Sequence, residues 1–229
     1  KQWMYESPLH QPLLVRLPDA IKAGTVHESM VNHVDLAPTI LDYAGVTVPG
    51  DMQGYSLKPI LAGKTRKVRD TSYYHFYEHG KRLPEMLGVR TPTHKLIHYP
   101  GMKGKYQWEM FDLQNDPEEM DNLYARPKHR TIREHLKETL RSKIKQLGDP
   151  VDAPAFQTAT TVSRDEDQAA DMQPNIVHIL VDDLGWQDVA CYRRDYTDDE
   201  PLYETPNMDR IAARGIRFMQ AYSPSVTCA

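Results

Sequence analysis

The sequence predicts an α/β fold joined to a smaller α+β subdomain made of an antiparallel sheet and a helix. Three observations carry this reading. Residues 71–113 hold short β-prone runs separated by Gly and Pro, residues 131–147 repeat apolar side chains at helical spacing, and residues 175–222 read strand, helix, strand. That last order is the mark of a parallel sheet.

Taken along the chain, "PLLVRLP" reads as a strand, followed by a loop and then a helix over "DLAPTILDYAG". Asp35 stands at its N-terminus and Gly45 at its stop, and Leu36, Ile40, Leu41 and Ala44 form the expected buried stripe. After the turn-rich "VTVPGDMQGYS" come "TSYYHFYEH", "GVRT", "HKLIHYP" and "WEMFDL", which predict a small antiparallel sheet. Ile132, Leu136, Leu140, Ile144 and Leu147 give an amphipathic helix to cover it. Residues 149–173 have few large apolar side chains and no periodicity, so they read as a linker. Beyond it stand a buried strand "NIVHILV", an acidic turn "DDLGW", a loop, and a helix over "TPNMDRIAARG" with Thr205 as cap, Pro206 in the first turn and Gly215 as stop. A strand "IRFMQAYS" then leads to Cys228. The expected organisation is 1–148, linker 149–173, and 174–229.

Composition narrows the function classes. The chain of 229 residues carries 28 basic and 32 acidic side chains, interspersed, for a formal net charge of -4. No polybasic field recruits nucleic acid or an anionic membrane. The longest apolar run is shorter than the roughly 20 residues of a membrane span, and no stretch has the order of a signal peptide. Cys191 and Cys228 allow at most one disulfide, which excludes a cystine-stapled fold.

Two short stretches could carry chemistry. Adjacent carboxylates at a strand end repel unless a cation compensates, so Asp182 and Asp183 point to a divalent metal, and oxygen donors favour Ca²⁺ or Mg²⁺ over zinc. A solvated acidic turn is the plainer reading. Cys228, after "SPSVT", could be a nucleophile displayed at a strand end or simply a buried thiol. Lys1 taken singly is a surface charge.

Together these stretches resemble a known family. "PNIVHILVDDLGWQDV" and "ETPNMDRIAARGIRFMQAYSPSVTCA" closely resemble the N-terminal segment of the type I sulfatases, members of the alkaline-phosphatase-like superfamily. "KQWMYESPLHQPLLVRLP", "VDLAPTILDYAGVTVPGDMQGYSLKPIL", "GVRTPTHKLIHYP" and "WEMFDLQNDPEEMDNLY" resemble, in order, the C-terminal half of bacterial carbohydrate-type sulfatases. The resemblance implies part of an alkaline-phosphatase-like α/β sandwich and hydrolysis of a sulfate ester, that of a sulfated carbohydrate or other small molecule. Cys228-Ala229 match the first two letters of a Cys-x-Pro-Ser-Arg signature whose cysteine becomes formylglycine, the hydrated aldehyde that attacks sulfur. Asp182 and Asp183 match two ligands of a metal, usually Ca²⁺ with Mg²⁺ as the alternative. Lys1 matches a lysine that contacts the sulfate, and His75 and His79 lie in a segment that borders the substrate or serves the structure. Export to the periplasm or outside is implied as well.

The order departs from the family's. A C-terminal half precedes an N-terminal one and the middle is absent, with it further metal ligands, the signature Arg, and the residues that handle leaving-group protons. Without those residues the chain by itself is expected to be inactive, and a tandem junction, a circular permutation and joined segments all explain the order. Two rival functions stand beside the sulfatase. One is a phosphoester or phosphonate hydrolase of the same superfamily; the other is a noncatalytic fragment that self-associates or docks onto the missing portion.

Overall fold

The computed structural model describes residues 3–18, 20–77, 83–151, 177–179, 184–196 and 203–222. In chain order its elements are α1 (Glu6–Leu9), β1 (Leu13–Val15), β2 (Thr25–Asn32), α2 (Leu36–Tyr43), α3 (Lys58–Leu61), β3 (Ser72–Phe76), β4 (Met86–Arg90), β5 (His94–His98), β6 (Trp108–Asp112), α4 (Arg130–Leu147), α5 (Ala190–Tyr196), α6 (Pro206–Arg214) and β7 (Ile216–Tyr222). They build two sheets.

The first is three-stranded, in the order β1-β7-β2. β7 runs antiparallel to β1 and parallel to β2, with Asn32 opposite Tyr222 at the carboxyl end of the parallel pair. Ile216, Phe218 and Ala221 of β7 pack with Val31, Leu57, Ile60 and Leu61 on one face. Met219 packs with Val189 and Tyr192 of the α5 region on the other. The Tyr192 hydroxyl bridges β1 and β7, accepting from the Leu13 N–H at 3.0 Å and lying 2.9 Å from the Leu13 carbonyl oxygen and 3.1 Å from that of Phe218.

β2 is a correction to the sequence reading, which took residues 25–32 as loop. "TVHESM" alternates too weakly to announce a strand, and its pairing partner lies far along the chain. α5 corrects another loop. The expected buried strand "NIVHILV" differs also. Val177, His178 and Ile179, its described part, form no strand, and Val177 and Ile179 are 82% and 71% exposed. They add no rung to either edge of the β1-β7-β2 sheet, so among the described residues no strand covers their apolar faces.

The α2 stripe is also different from the expected one, since Pro38 and Thr39 are the buried residues while Leu36, Ile40, Leu41 and Ala44 are half-buried. Asp35 does not cap α2 with its side chain. Fully buried, it accepts N–H groups from Asn32 and Tyr55, each at 2.8 Å, and pairs with Arg69. Thr205 likewise makes no side-chain cap, its hydroxyl instead accepting the Ala190 N–H at 2.9 Å and lying 3.0 Å from an Asp209 oxygen. Gly215 ends α6 by lack of space, because a Cβ there would lie 2.2 Å from the Val15 carbonyl oxygen.

The second sheet is the predicted antiparallel one, in the order β3-β4-β5-β6. Period-two alternation divides its side chains cleanly. Leu87, Val89, Leu96 and Met110 face α4 and pack with Leu136 and Leu140, with Ile132 and Ile144 at the margin. Burying each such leucine contributes roughly 1.5–3 kcal/mol. The opposite face presents Tyr74, Phe76, Met86, Ile97 and Phe111 to Met4, Leu9, Met30 and Tyr222. That cluster is the seam between subdomain and main sheet. Gly88 makes the seam close, since a Cβ there would lie 2.6 Å from the Met4 sulfur and 2.2 Å from the Leu96 carbonyl oxygen.

Candidate functional site

Lys1, His79, Asp182, Asp183 and Cys228 lie outside the described residues; His75 lies within them. The described structure does carry the segments that lead to these positions. β7 ends at Tyr222, six positions before Cys228, and α1 begins just after Lys1. Both meet at the carboxyl end of the β2–β7 pair, the end at which open α/β sheets bind ligands.

A buried ionic cluster joins them. Lys95, fully buried on β5, lies 2.8 Å from a Glu6 oxygen and 2.7 Å from a Glu119 oxygen. Arg90 on β4 reaches Glu6 at 3.1 Å and Gln220 of β7 at 3.2 Å, with its guanidinium 4.4 Å from the Tyr222 ring centre. The Tyr222 hydroxyl donates to Glu6 at 3.3 Å, and the Glu6 N–H donates to Glu119 at 2.5 Å. Burial opposes ionisation of Glu6, yet Lys95 and Arg90 outweigh it and draw the carboxyl down to about 2. For Glu119 burial wins, and its carboxyl is held above the ordinary value despite Lys95. Its backbone has φ of 56°, the left-handed region that a non-glycine residue seldom occupies.

His10 adds an aromatic stack to the same corner. Its ring lies between Tyr222, with centroids 5.1 Å apart, and Trp186, 4.9 Å away. Nε2 is 2.8 Å from the Met219 carbonyl oxygen, which makes it the donor. Burial pushes the imidazole down to about 4, so near neutral pH it is uncharged. Trp186 comes just after the "DDLG" stretch of the sequence, and the stack therefore ties the described residues at Trp186 to β7.

His75 sits elsewhere, on the α4 face of β3. Tyr73, His75 and Tyr77 alternate onto that face, where the chain leaving α4 delivers Asp149. The ring's Nδ1 lies 2.7 Å from Asp149 and its Nε2 2.9 Å from Glu85. Asp149 also accepts the hydroxyls of Tyr73 and, at 2.5 Å, Tyr77. Burial disfavours its charge, but the three donors together hold it below its ordinary value. With 3% of its side chain exposed and both nitrogens engaged, His75 offers neither nitrogen to a ligand in this arrangement. Asp149 and Val151, read as linker, belong to the subdomain instead, Val151 packing beside α4.

Cys191 is half-buried, and burial pushes its thiol up to about 11, which leaves it protonated and unreactive. Among the described residues no group of three or more His, Cys, Asp or Glu side chains is placed to hold a metal. Nor is any helix among them long and apolar enough to cross a membrane. Sequence reasoning missed Lys95, Arg90 and Glu119. A lysine inside the apolar strand "HKLIH" was the available signal, because lysine is almost never fully buried without a partner.

Comparison with known proteins fits this arrangement. The family model described as N-sulphoglucosamine sulphohydrolase, C-terminal, matches residues 1–146, and the model described as Sulfatase matches residues 174–229. The N-acetylglucosamine-6-O-sulfatase of Bacteroides thetaiotaomicron is 41% identical over 154 residues, covering 65% of this chain and 27% of that protein. Arylsulfatase K of Mus musculus is 34% identical over 132 residues, covering 54% and 23%. A solved structure of a protein in complex with its substrate D-glucosamine-2-N,6-O-disulfate is 39% identical with a TM-score of 0.55, covering 59% of this chain and 28% of that one. The chain thus spans about a quarter of the length of these relatives. The alkaline-phosphatase-like α/β class expected from the sequence stands. With a family model matched over well more than half its length, the chain belongs to the sulfatase family.

Proposed function

We propose that the chain supplies part of the active site of a sulfatase acting on a sulfated carbohydrate, a glucosamine sulfate being the favoured class. One observation carries the reading. The segment following Lys1 and the strand leading to Cys228 match the two halves of the family, and they converge within a single copy through Glu6, Arg90 and Tyr222. This supports a permuted arrangement over a tandem junction, in which Lys1 and Cys228 would serve different sites.

In this reading Cys228, oxidised to formylglycine, is the nucleophile. The Lys1 ammonium offsets charge developing on the sulfate oxygens. Asp182 and Asp183 would hold Ca²⁺, which supplies polarisation of those oxygens when bound. Export to the periplasm or outside belongs to the same proposal. The 41% relative named for N-acetylglucosamine 6-O-sulfate supports the sugar.

The test is a peptide map of the natural gene product containing these residues, with turnover of glucosamine 6-sulfate. A peptide about 18 Da lighter than the thiol at residue 228, as thiol-to-aldehyde conversion requires, with turnover abolished in Cys228→Ala, is expected. An unmodified thiol, or preference for the matching phosphate ester, overturns the proposal.

A further inference from the structure

A cleft of about 440 Å³ opens where the subdomain meets the main sheet. Its position is informative. Asn32, the last residue of β2, lines it, so it begins at the same carboxyl edge as the candidate site. Its outer walls are the loop carrying Gln53 and Tyr55 on one side and the last turns of α4, with Lys143 and Gln146, on the other. Domain seams are frequent ligand sites, and pockets for small molecules run about 300–1,000 Å³.

The lining has a definite chemistry. Tyr55 is 48% exposed, and the Arg69 guanidinium lies 5.1 Å from its ring centre. Arg69 is itself held by the buried Asp35, so the aromatic ring is anchored from beneath. An anchored ring with an accessible face suits the C–H face of a pyranose. Gln53 and Gln146 provide amides, which donate and accept at once and so match sugar hydroxyls and acetamido groups, while Asn32 is buried at the floor and held by Ser72. Lys143, 3.1 Å from the Gln146 carbonyl oxygen, brings a cation to the cleft. Asp51 lines it too, so the cleft is not a bulk anion trap. The combination selects a sugar with one acidic substituent.

We propose that this cleft is a second saccharide subsite, holding a uronic-acid-containing unit that flanks the sulfated sugar. Tyr55 would stack on the ring, Gln53 and Gln146 would meet its hydroxyls, and Lys143 would meet the carboxylate. The inference rests on the carbohydrate reading above and names a recognition element outside the residues assigned to sulfate chemistry.

Calorimetric titration of the 229-residue chain with an unsulfated hexuronate–N-acetylglucosamine disaccharide tests it, because that probe has no ester to cleave. Binding is expected at one site, weakened about tenfold, equal to about 1.4 kcal/mol, by Tyr55→Ala. Lys143→Ala should weaken the acidic disaccharide while leaving a neutral N-acetylglucosamine disaccharide unchanged. Both variants should melt with the parent, since neither side chain is in the core. No binding, or binding indifferent to both substitutions, overturns the subsite. An unmodified thiol or absent turnover in the natural gene product would overturn the sulfatase reading while leaving this binding result standing, because the probe carries no ester. Equal binding of acidic and neutral disaccharides by the parent overturns the part given to Lys143.

Discussion

The hydroxyl of Tyr222 meets the carboxylate of Glu6 at 3.3 Å across 216 positions of sequence. Tyr222→Phe should keep the ring against His10 and Arg90 while removing this one donor. Glu6 retains Lys95 and Arg90, so the expected cost is about 0.5–1.5 kcal/mol, read from the urea midpoint. A loss several times larger would show that the hydroxyl, not the cations, holds the junction.

Lys95 is the more costly residue to replace. In Lys95→Met two carboxylates stay buried without their shared cation, and breaking a buried pair costs about 3–5 kcal/mol. Adding Glu119→Gln should recover part of that loss by removing one stranded charge. Denaturant midpoints of the single and double variants decide this, and a double variant no better than the single contradicts the ion-pair account.

His10 predicts a pH dependence with a definite sign. Its ordinary value is 6.5 and the folded value is about 4, so below 6.5 the unfolded chain binds a proton that the native ring refuses. The contribution of His10 to stability should therefore fall as pH drops from 6.5 to 4 and level off below, by up to roughly 3 kcal/mol. His10→Asn should flatten that slope, whatever it does to the absolute melting temperature. An unchanged slope would place the titrating group elsewhere.

Asp149→Ala should leave the hydroxyls of Tyr73 and Tyr77 and Nδ1 of His75 without an acceptor in a pocket where the Asp149 side chain is 6% exposed. Stranding buried donors costs on the order of 3 kcal/mol. Hydrogen exchange should rise in the last turn of α4, whose exit Asp149 anchors. Protection equal to the parent's would reduce the cluster to a surface feature.

The parts that were legible in the sequence are those governed by near neighbours. Leu136 and Leu140 face one sheet because their spacing matches the helix, and Tyr73, His75 and Tyr77 share a face because strand side chains alternate. β2 escaped because its strand character comes from β7, nearly two hundred residues later, rather than from its own pattern. Asp149 escaped for a related reason. In a stretch poor in apolar residues a carboxylate looks solvated, and only the assembled fold brings three donors to it. Lys1, Asp182, Asp183 and Cys228 rest on the family resemblance alone and lie outside the described residues, whereas the cluster that draws their neighbouring segments together was hidden in a lysine inside a strand.

The parallel pairing of β2 with β7 also bears on how the protein is made. In the permuted arrangement proposed above, β7 occupies the middle of its sheet yet is the last of the seven described strands to leave the ribosome. At translation speeds of about 5–20 residues per second, β1 and β2 wait on the order of 10 s or longer for the strand that will separate them. During that interval their inward edges have no native neighbour, while the β3-β4-β5-β6 meander and α4 already hold every residue of the core between them. The subdomain can fold as it emerges; the three-stranded layer closes only after its central strand has been synthesised.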